Sequence, residues 1–351
     1  MARQFAVAAG LCAFFVALAA CASGSVSQAA AGEADRTKAG GLPANPLTSQ
    51  DGSIKGGHCS AALPKPAKVP WRHKVSSTSV TLLGAPNHRL RDVIALPGQA
   101  TKMRARLTYG TVDKDLEDEN VDLYLQKCPG WGLVASGRTD DDGVVWFDLP
   151  ANLPPGDYRV RAIVQGDGSV ADGTLAVWPK GVKVVVSDVD GTLTTSDWQL
   201  FKDVATKAPA AMYADADKAI QAWSGKGYRV VYLTGRPQLF SRYSRNWLDA
   251  HKMPQGVLRL TDDAGDAVPS EAGVQAFKTQ VLKDLIASHG AQIRAGHGNA
   301  VTDIGAYQAA GIPNADLYIV GPHAGVKGTT KVESYTKLLP ALAKYPGAAQ
   351  P

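Results

Sequence analysis

Two aspartates stand one residue apart in the stretch "VKVVVSDVDGTLTTSD", which spans residues 182–197. A run of β-branched residues precedes Asp188 and Asp190, as expected for a buried strand, and Gly191 then leaves room for a tight turn. Two carboxylates at the end of a buried strand are costly unless a cation binds there. The stretch therefore predicts a cation site.

Further polar residues follow the later apolar strands of the chain. They are Thr234-Gly235-Arg236, Lys278 at the opening of the helix that follows the third strand, and Asn299 and Asp303 in "GNAVTD". Phosphoryl transfer through an aspartyl-phosphate needs such a set, because a carboxylate nucleophile must approach a phosphate dianion. Magnesium held by carboxylates, a lysine and a hydroxyl would reduce the repulsion, and a second aspartate would move the proton.

In its order along the chain, this set resembles the haloacid dehalogenase (HAD) superfamily of phosphatases. The resemblance implies that Asp188 is the nucleophile and a Mg²⁺ ligand. It also implies that Asp190 is the general acid and base, and that its carbonyl binds the metal. The implied roles of the others are phosphate binding by Thr234, Gly235 and Lys278, and completion of the metal site by Asp303 and Asn299.

Within that superfamily, "DVDGTLTTSD", "MPQGVLRL" and "GNAVTDIGAYQAAGIPNADLYIVGPHAG" resemble the catalytic domain of lipins, the Mg²⁺-dependent phosphatidate phosphatases. The stretch "YRVVYLTGRPQLFSRYSRNWLDAHKMPQGVL" is more similar to the related domain of retinal-degeneration-B type phosphatidylinositol transfer proteins. Those relatives lack the leading aspartate and are thought to bind lipid without hydrolysing it, so Asp188 favours catalysis. Thr-Gly-Arg at 234–236 departs from the lipin pattern.

Apolar strands alternate with amphipathic helices after residue 181, which predicts an α/β domain over 181–351 with a parallel sheet and helices on both faces. The resemblance makes this sheet HAD-like, or Rossmannoid. Neither the gap from Thr192 to Thr234 nor that from Thr234 to Lys278 has room for a cap domain, so we expect an uncapped site. Such a site suits a large substrate, either a lipid headgroup at a bilayer or a protein. The aromatic and basic segment Trp198–Tyr213 could enter a membrane surface, but such a stretch more often packs against the fold.

Short alternating runs over 67–180, separated by turn signals and without a helical stretch, predict an all-β, Ig-like sandwich. Its acidic run Asp113–Asp122 does not fit a calcium-binding EF-hand loop, because Asp118 and Tyr124 occupy the places of Gly and Glu. We interpret the run as a solvated loop.

The first twenty residues carry one basic residue, then an apolar stretch, and then "LAAC", which resembles a bacterial lipobox. Residues 1–20 are therefore predicted to be a lipoprotein signal peptide, Cys21 to be the lipidated residue, and 21–66 to be a flexible linker. The folded domains would lie outside the cytoplasm in the bacterial cell envelope, and Ala22 is compatible with the outer membrane. Cys59 and Cys128 could form a disulfide there, but their spacing does not decide it.

Plainer interpretations apply to several neighbouring residues. His297 is expected to be solvated or behind the site. Arg236 is expected to brace its loop rather than meet a lipid phosphate. Arg242 and Arg245 are expected on the polar face of a helix, and Trp223 and Trp247 in the core.

The net charge is +5, and the basic residues form no long runs, so we expect no nucleic-acid partner. The expected partner is a phospholipid membrane, and the residues name no protein partner for the sandwich. The main prediction is Mg²⁺-dependent hydrolysis of phosphatidate to diacylglycerol. The alternatives are a non-catalytic module that binds or transfers phosphatidate or phosphoinositide, and a phosphatase for a substrate that is not a lipid.

Overall fold

The computed structural model describes residues 62–127, 130–195, 210–262 and 270–350. The predictions for Cys21, Cys59 and Cys128, and most of the segment Trp198–Tyr213, lie outside these ranges. In the described part of the chain, no helix combines the length and the hydropathy needed to cross a membrane.

The first folded region is the predicted β-sandwich. Its strands are β1 Arg89–Leu90, β2 Val93–Ala95, β3 Thr101–Arg106, β4 Thr108–Tyr109, β5 Lys114–Asp115, β6 Asn120–Lys127, β7 Gly130–Arg138, β8 Val144–Leu149, β9 Gly156–Val164 and β10 Val170–Val177. One sheet has the strand order β1-β3-β8, a second has β2-β10-β9-β6-β7, and β4 pairs with β5. Neighbouring strands are antiparallel, except that β2 lies parallel to β10.

The alternating pattern of β8 shows why this region forms a sandwich. Val145 and Phe147 point into the core and are almost fully buried, whereas Trp146 between them is 55% exposed. A strand whose side chains alternate in this way buries one face against a second sheet.

A short helix before the first strand was not predicted. Helix α1 spans Lys74–Thr81, so the expectation of no helix in this region is wrong. Glu119 explains the position of the helix, because its carboxylate accepts hydrogen bonds from the backbone N–H of Arg72 and His73 and from the hydroxyl of Ser77. Glu119 is 2% exposed, so the interpretation of the acidic run as a solvated loop is also wrong at this residue.

The second region is a six-stranded sheet in which every neighbouring pair is parallel. Its strands are β11 Lys183–Ser187, β12 Arg229–Pro237, β13 Val257–Thr261, β14 Gln292–Gly298, β15 Leu317–Val320 and β16 Thr330–Val332, in the order β13-β12-β11-β14-β15-β16. The predicted strands are present, and β16 is an additional edge strand.

Helices cover both faces of this sheet, as predicted. They are α2 Ala216–Gly225, α3 Ser241–Ala250, α4 Glu271–His289, α5 Val301–Ala309 and α6 Tyr335–Ala343. Apolar side chains of α2, α3 and α6 pack on one face, and those of α4 and α5 pack on the other. Trp223 and Trp247 are 0% and 2% exposed, so their predicted place in the core is confirmed.

A buried carboxylate joins the two regions. Asp92 of the sandwich is 1% exposed, and its side chain accepts hydrogen bonds from the backbone N–H of Thr174 at 2.7 Å and of Leu258 at 2.7 Å. It also forms an ion pair with Arg245 of α3, while Arg259 of β13 donates to its backbone carbonyl at 2.8 Å. Arg245 thus lies at the domain boundary rather than on a free polar face.

Candidate active site

The predicted residues meet at one edge of the parallel sheet. Strands β12, β11 and β14 are neighbours, so the segments that follow their carboxyl ends lie side by side. Asp188 follows β11, Thr234 lies near the end of β12, and Asn299 follows β14.

A tight turn directs the two aspartates of the β11 segment. Gly191 has φ 66°, a conformation that suits glycine, and its N–H donates to the hydroxyl of Thr194 at 2.9 Å. Thr194 also forms a single antiparallel bridge with Met212. Between Thr192 and Thr234, the described residues otherwise contribute helix α2 and the first part of β12.

Lys278 joins two of the three acidic residues. Its Nζ donates to Asp188 at 2.7 Å and to Asp303 at 2.6 Å, and the three side chains are at most 4% exposed. Burial alone would lower the pKa of Lys278, but the charges of Asp188 and Asp303 raise it above its usual range. Lys278 therefore stays charged and holds the two carboxylates together.

Asp188 has a hydroxyl partner as well as this cation. Thr192 Oγ1 donates to Asp188 Oδ2 at 2.9 Å and lies 3.2 Å from Asn299 Oδ1. Burial is the main reason that the pKa of Asp188 is raised to about 7. Lys278 lowers this pKa in part, and the charge of Asp303 adds to the rise. Near neutral pH, this carboxyl is thus poised between its charged and neutral forms.

Asp303 closes the site from the start of α5. Its Oδ2 accepts hydrogen bonds of 3.0 Å from the backbone N–H of both Asn299 and Ala300. Gly298 makes this approach possible, since a Cβ there would come within 2.6 Å of Cβ of Asp303. The glycine that precedes Asn299 is therefore needed for packing.

Asp190 points to a different cation. Arg236 Nε lies 2.8 Å from Oδ2 and 3.0 Å from Oδ1, and its Nη2 lies 2.6 Å from Oδ1. Arg236 Nη1 donates to Ser244 of α3, which holds the guanidinium in place. The hydroxyl of Thr234 donates to Asp190 at 2.9 Å, so both carboxylate oxygens have donors.

This arrangement refines two predictions. Arg236 was expected to brace its loop, and it braces Asp190 itself. Thr234 was expected to bind phosphate, but in this structure its hydroxyl is directed to Asp190. The neighbouring Gly235 packs against α4, where a Cβ would come within 3.0 Å of Val274. The Arg–Asp pairing was not anticipated, although an arginine two residues after a predicted site threonine was the available signal.

His297 lies behind the site and is fully buried, so it is not solvated. Trp223 Nε1 donates to its Nε2 at 2.9 Å, which requires that nitrogen to be unprotonated. Burial lowers the pKa of His297 to about 3. The backbone carbonyl of His297 accepts the N–H of Asp188, so the backbone of β14 helps to position the nucleophile candidate.

Asp188 and Asp303 are the side chains of this site that a hard divalent cation would use as ligands. The described residues contain no group of three or more His, Cys, Asp or Glu side chains that could hold a metal, so there is no carboxylate cage among them. Mg²⁺ keeps several waters and is often held by only one or two carboxylates. Asp188 and Asp303 supply two. When Asp188 is ionised, three carboxylates face the two cations Lys278 and Arg236, so the site then carries an excess of negative charge.

Comparisons with known proteins agree with this two-part architecture. Residues 86–177 match the family model for the "PITM 1-3, beta-sandwich domain", and residues 185–321 match that for the "PITM 1-3, LNS2 domain". Both folded domains are thus related to neighbouring domains of one protein group. This supports the predicted resemblance to the retinal-degeneration-B type domain and extends it to the sandwich.

Individual relatives show the same relationship. The chain is 30% identical to protein retinal degeneration B of Drosophila melanogaster over 257 residues, which are 72% of this chain and 19% of that protein. It is also 30% identical to human membrane-associated phosphatidylinositol transfer protein 1, over a stretch that is 72% of this chain and 20% of that protein. The chain thus spans about a fifth of the length of these relatives.

Among solved structures, the D0-D1 domain of intimin is 18% identical and covers 25% of this chain and 43% of that one, with a TM-score of 0.19. A similarity of this size carries no argument about fold or function.

Proposed function

We propose that the LNS2-type domain binds the phosphomonoester headgroup of a membrane phospholipid, such as phosphatidate or a phosphoinositide, at the Asp188 site without hydrolysing it. The relatives named above are phosphatidylinositol transfer proteins, which supports a lipid ligand. The observation that carries the non-catalytic form of the proposal is the contact between Arg236 and Asp190.

Hydrolysis would need Asp190 to give a proton to the leaving oxygen and then to activate water. Both oxygens of Asp190 instead accept hydrogen bonds from the guanidinium of Arg236, and Thr234 adds another. A two-pronged guanidinium–carboxylate pair is among the stronger hydrogen-bonded contacts in proteins. The arrangement supports a rigid binding platform better than a mobile acid and base.

Asp188 and Asp303 would hold Mg²⁺, which would offset the excess negative charge and so allow a phosphate group to approach. Lys278 would keep the two carboxylates together, and the hydroxyl of Thr192 would orient Asp188. These residues recognise the charge and shape of a phosphomonoester, while the rest of the lipid remains in the membrane.

Hydrolysis of phosphatidate to diacylglycerol is the second candidate, and Asp188 is the observation that favours it. Its carboxylate lies at the end of the central strand β11 beside a buried lysine, as a nucleophile for phosphate requires. In that reaction, Asp188 would attack phosphorus while the P–O bond to diacylglycerol breaks and its oxygen takes a proton from Asp190. Water would then hydrolyse the aspartyl-phosphate, and Arg236 would have to release Asp190 for both steps. A phosphatase for a non-lipid substrate has no further support from the geometry.

The test uses the full-length Cys21→Ser chain, so that no acyl anchor contributes to binding, with Mg²⁺ at about 5 mM or with chelator. Flotation with vesicles that contain phosphatidate measures binding, and vesicles with phosphatidylserine, an anionic phosphodiester, are the control. Phosphate release from the same phosphatidate measures turnover. Asp188→Asn is compared with Asp148→Asn, which changes an exposed carboxylate of the sandwich.

We expect Mg²⁺-dependent binding to phosphatidate, loss of binding in Asp188→Asn only, and no phosphate release. Release of phosphate by the parent but not by Asp188→Asn would show that the domain hydrolyses phosphatidate and does not only bind it. Equal binding to both anionic lipids would contradict headgroup recognition altogether.

We further propose that Cys21 carries a lipid anchor, which would keep the domain at a membrane of the cell envelope. The motif that supports this proposal is "LAAC" at residues 18–21. Mass spectrometry of the mature N-terminus of Cys21→Ser and of the parent tests this, since only the parent should gain acyl mass.

A further inference from the structure

The short helix α1 is fixed on the sandwich by one face and presents an apolar face to solvent. On its inner face, Ser77 is buried and Val80 packs against the core of the sandwich. Val75 and Leu82 lie seven residues apart, which places both on the outer face, and they are 82% and 81% exposed. Leu83, which follows the helix, is 51% exposed. A surface helix normally carries polar residues on its outer face, so this arrangement indicates a binding surface.

The charges around this outer face are basic. Lys68 and Lys74 are exposed, and neither forms an ion pair with another residue that the structure describes. No aspartate or glutamate occurs from residue 62 to residue 83, and the nearby Asp118 is already paired with Arg72. Exposed aliphatic side chains beside free lysines suit the interface of a bilayer that contains anionic lipids.

We propose that these five residues, Lys68, Lys74, Val75, Leu82 and Leu83, form a docking surface for an anionic bilayer. We call them the α1 surface. A second copy of the chain fits less well, because a symmetric contact would bring the lysines of one copy against the same lysines of the other. The α1 surface precedes the matched stretch 86–177 of the sandwich, and its binding does not depend on headgroup recognition at the parallel sheet.

The α1 surface lies near the edge of the molecule that carries the Asp188 site. Leu83 stands three residues before Pro86, which is at most about 11 Å along the chain. The carbonyl of Pro86 accepts a hydrogen bond of 2.6 Å from Nη1 of Arg242. Arg242 is the second residue of α3, which begins soon after β12 ends and therefore starts at the carboxyl edge of the parallel sheet. One bilayer can thus contact the α1 surface while a headgroup enters the Asp188 site.

The experiment separates this surface from the headgroup site by the choice of lipid. The full-length Cys21→Ser chain is floated in chelator with phosphatidylcholine vesicles that either contain or lack phosphatidylserine, which has no phosphomonoester. A few side chains bind a bilayer more weakly than one myristoyl chain does, so the lipid is titrated to about 1 mM and above. Leu82→Ser/Leu83→Ser is compared with Leu133→Ser, which removes an exposed leucine of β7, and thermal unfolding checks that each variant is folded.

We expect the parent to bind the vesicles that contain phosphatidylserine and to bind less as salt is added. Leu82→Ser/Leu83→Ser should weaken this binding about tenfold, because two side chains no longer enter the interface. Lys74→Gln should weaken it about fivefold, which is the usual effect of one cation near an anionic membrane. Leu133→Ser should bind as the parent does.

Equal binding by the parent and by Leu82→Ser/Leu83→Ser would overturn the proposal, and so would a parent that does not bind phosphatidylserine vesicles at millimolar lipid. A parent that sediments as a dimer without lipid, with a monomeric double variant, would overturn it in favour of a second copy. The double variant should keep the Mg²⁺-dependent preference for phosphatidate over phosphatidylserine, whereas Asp188→Asn should lose that preference. The two proposals therefore fail separately.

Discussion

Two buried carboxylates, Asp92 at the domain boundary and Asp188 at the end of β11, have very different surroundings. Asp92 accepts two backbone N–H groups and the guanidinium of Arg245, and Arg259 binds its carbonyl. Asp188 shares one lysine with Asp303, and its pKa is raised to about 7. One centre is complete as it stands, whereas the other has an excess of negative charge.

The difference is consistent with a structural role for Asp92 and with the functional role proposed for Asp188. A buried acid that is fully satisfied stabilises the contact between the two domains and needs no ligand. A buried acid that is held near its titration point is destabilised in its charged form, which is the usual condition of a site that binds a cation or a substrate. Four changes test this contrast.

Asp92→Ala should have the largest effect, a loss of about 3–5 kcal/mol in the free energy of unfolding, because it leaves Arg245 and two N–H groups without their partner. Urea denaturation followed by circular dichroism measures it. Asp148→Ala, which breaks the exposed pair with Lys102, is the matched control and should cost less than about 1 kcal/mol. Similar losses in both variants would show that Asp92 is not a structural centre.

Asp188 should make the metal-free protein less stable as the pH rises. The pKa of Asp188 is about 7 in the folded chain and about 4 in the unfolded chain. Its contribution to the free energy of unfolding is therefore fully present below about pH 4 and is lost as the pH approaches 7. Between pH 5 and 8, the loss should be roughly 2–3 kcal/mol. Asp188→Asn cannot titrate at this position, so its free energy of unfolding should fall by that much less than that of the parent over the same pH range. Denaturation in chelator measures this difference. Parallel pH profiles would contradict the raised pKa.

Mg²⁺ should stabilise the parent by about 1.4 kcal/mol at ten times its dissociation constant. The gain should be larger at pH 8 than at pH 6, because the charged form of Asp188 binds the ion. Thermal unfolding with Mg²⁺ at both pH values measures the effect, and Asp188→Asn should show less of it. A gain that does not change with pH would place the ion away from Asp188.

The smallest effect is expected for Thr192→Val, which removes the hydroxyl between Asp188 and Asn299 and should cost about 1 kcal/mol. Thr192→Ser keeps the hydroxyl and should recover most of that loss in the same urea experiment. If serine behaves like valine, the methyl packing of Thr192 matters rather than its hydrogen bond.

The sequence was most informative about elements whose signal is local. The run before Asp188 predicted β11, and the polar residues after β12 and β14 were correctly expected to meet because parallel strands end at one edge. Lys278 was expected at the site from the family resemblance and was placed at the opening of the helix after the third strand, whereas it lies within α4.

Contacts between distant segments were not predictable in this way. Asp92 lies in the strand-like run "RDVIALPG", and nothing near it reveals that its partners are Leu258 and Arg245, more than 150 residues further on. Glu119 was interpreted as solvated because acidic runs usually are, but a helix of the same domain uses it as an acceptor. The pairing of Arg236 with Asp190 depends on side-chain direction, which hydrophobic periodicity does not encode.

The short connection between the two domains allows a label on the sandwich to measure how the protein is tilted on a membrane. Only residues 178–182 separate β10 from β11, and Trp178 among them is fully buried and donates to Asp157 at 2.7 Å. The short, partly buried connection thus holds the sandwich firmly against the domain that carries the proposed headgroup site. A spin label on an exposed sandwich position such as Trp146 should therefore reveal the tilt of the docked LNS2-type domain against the bilayer.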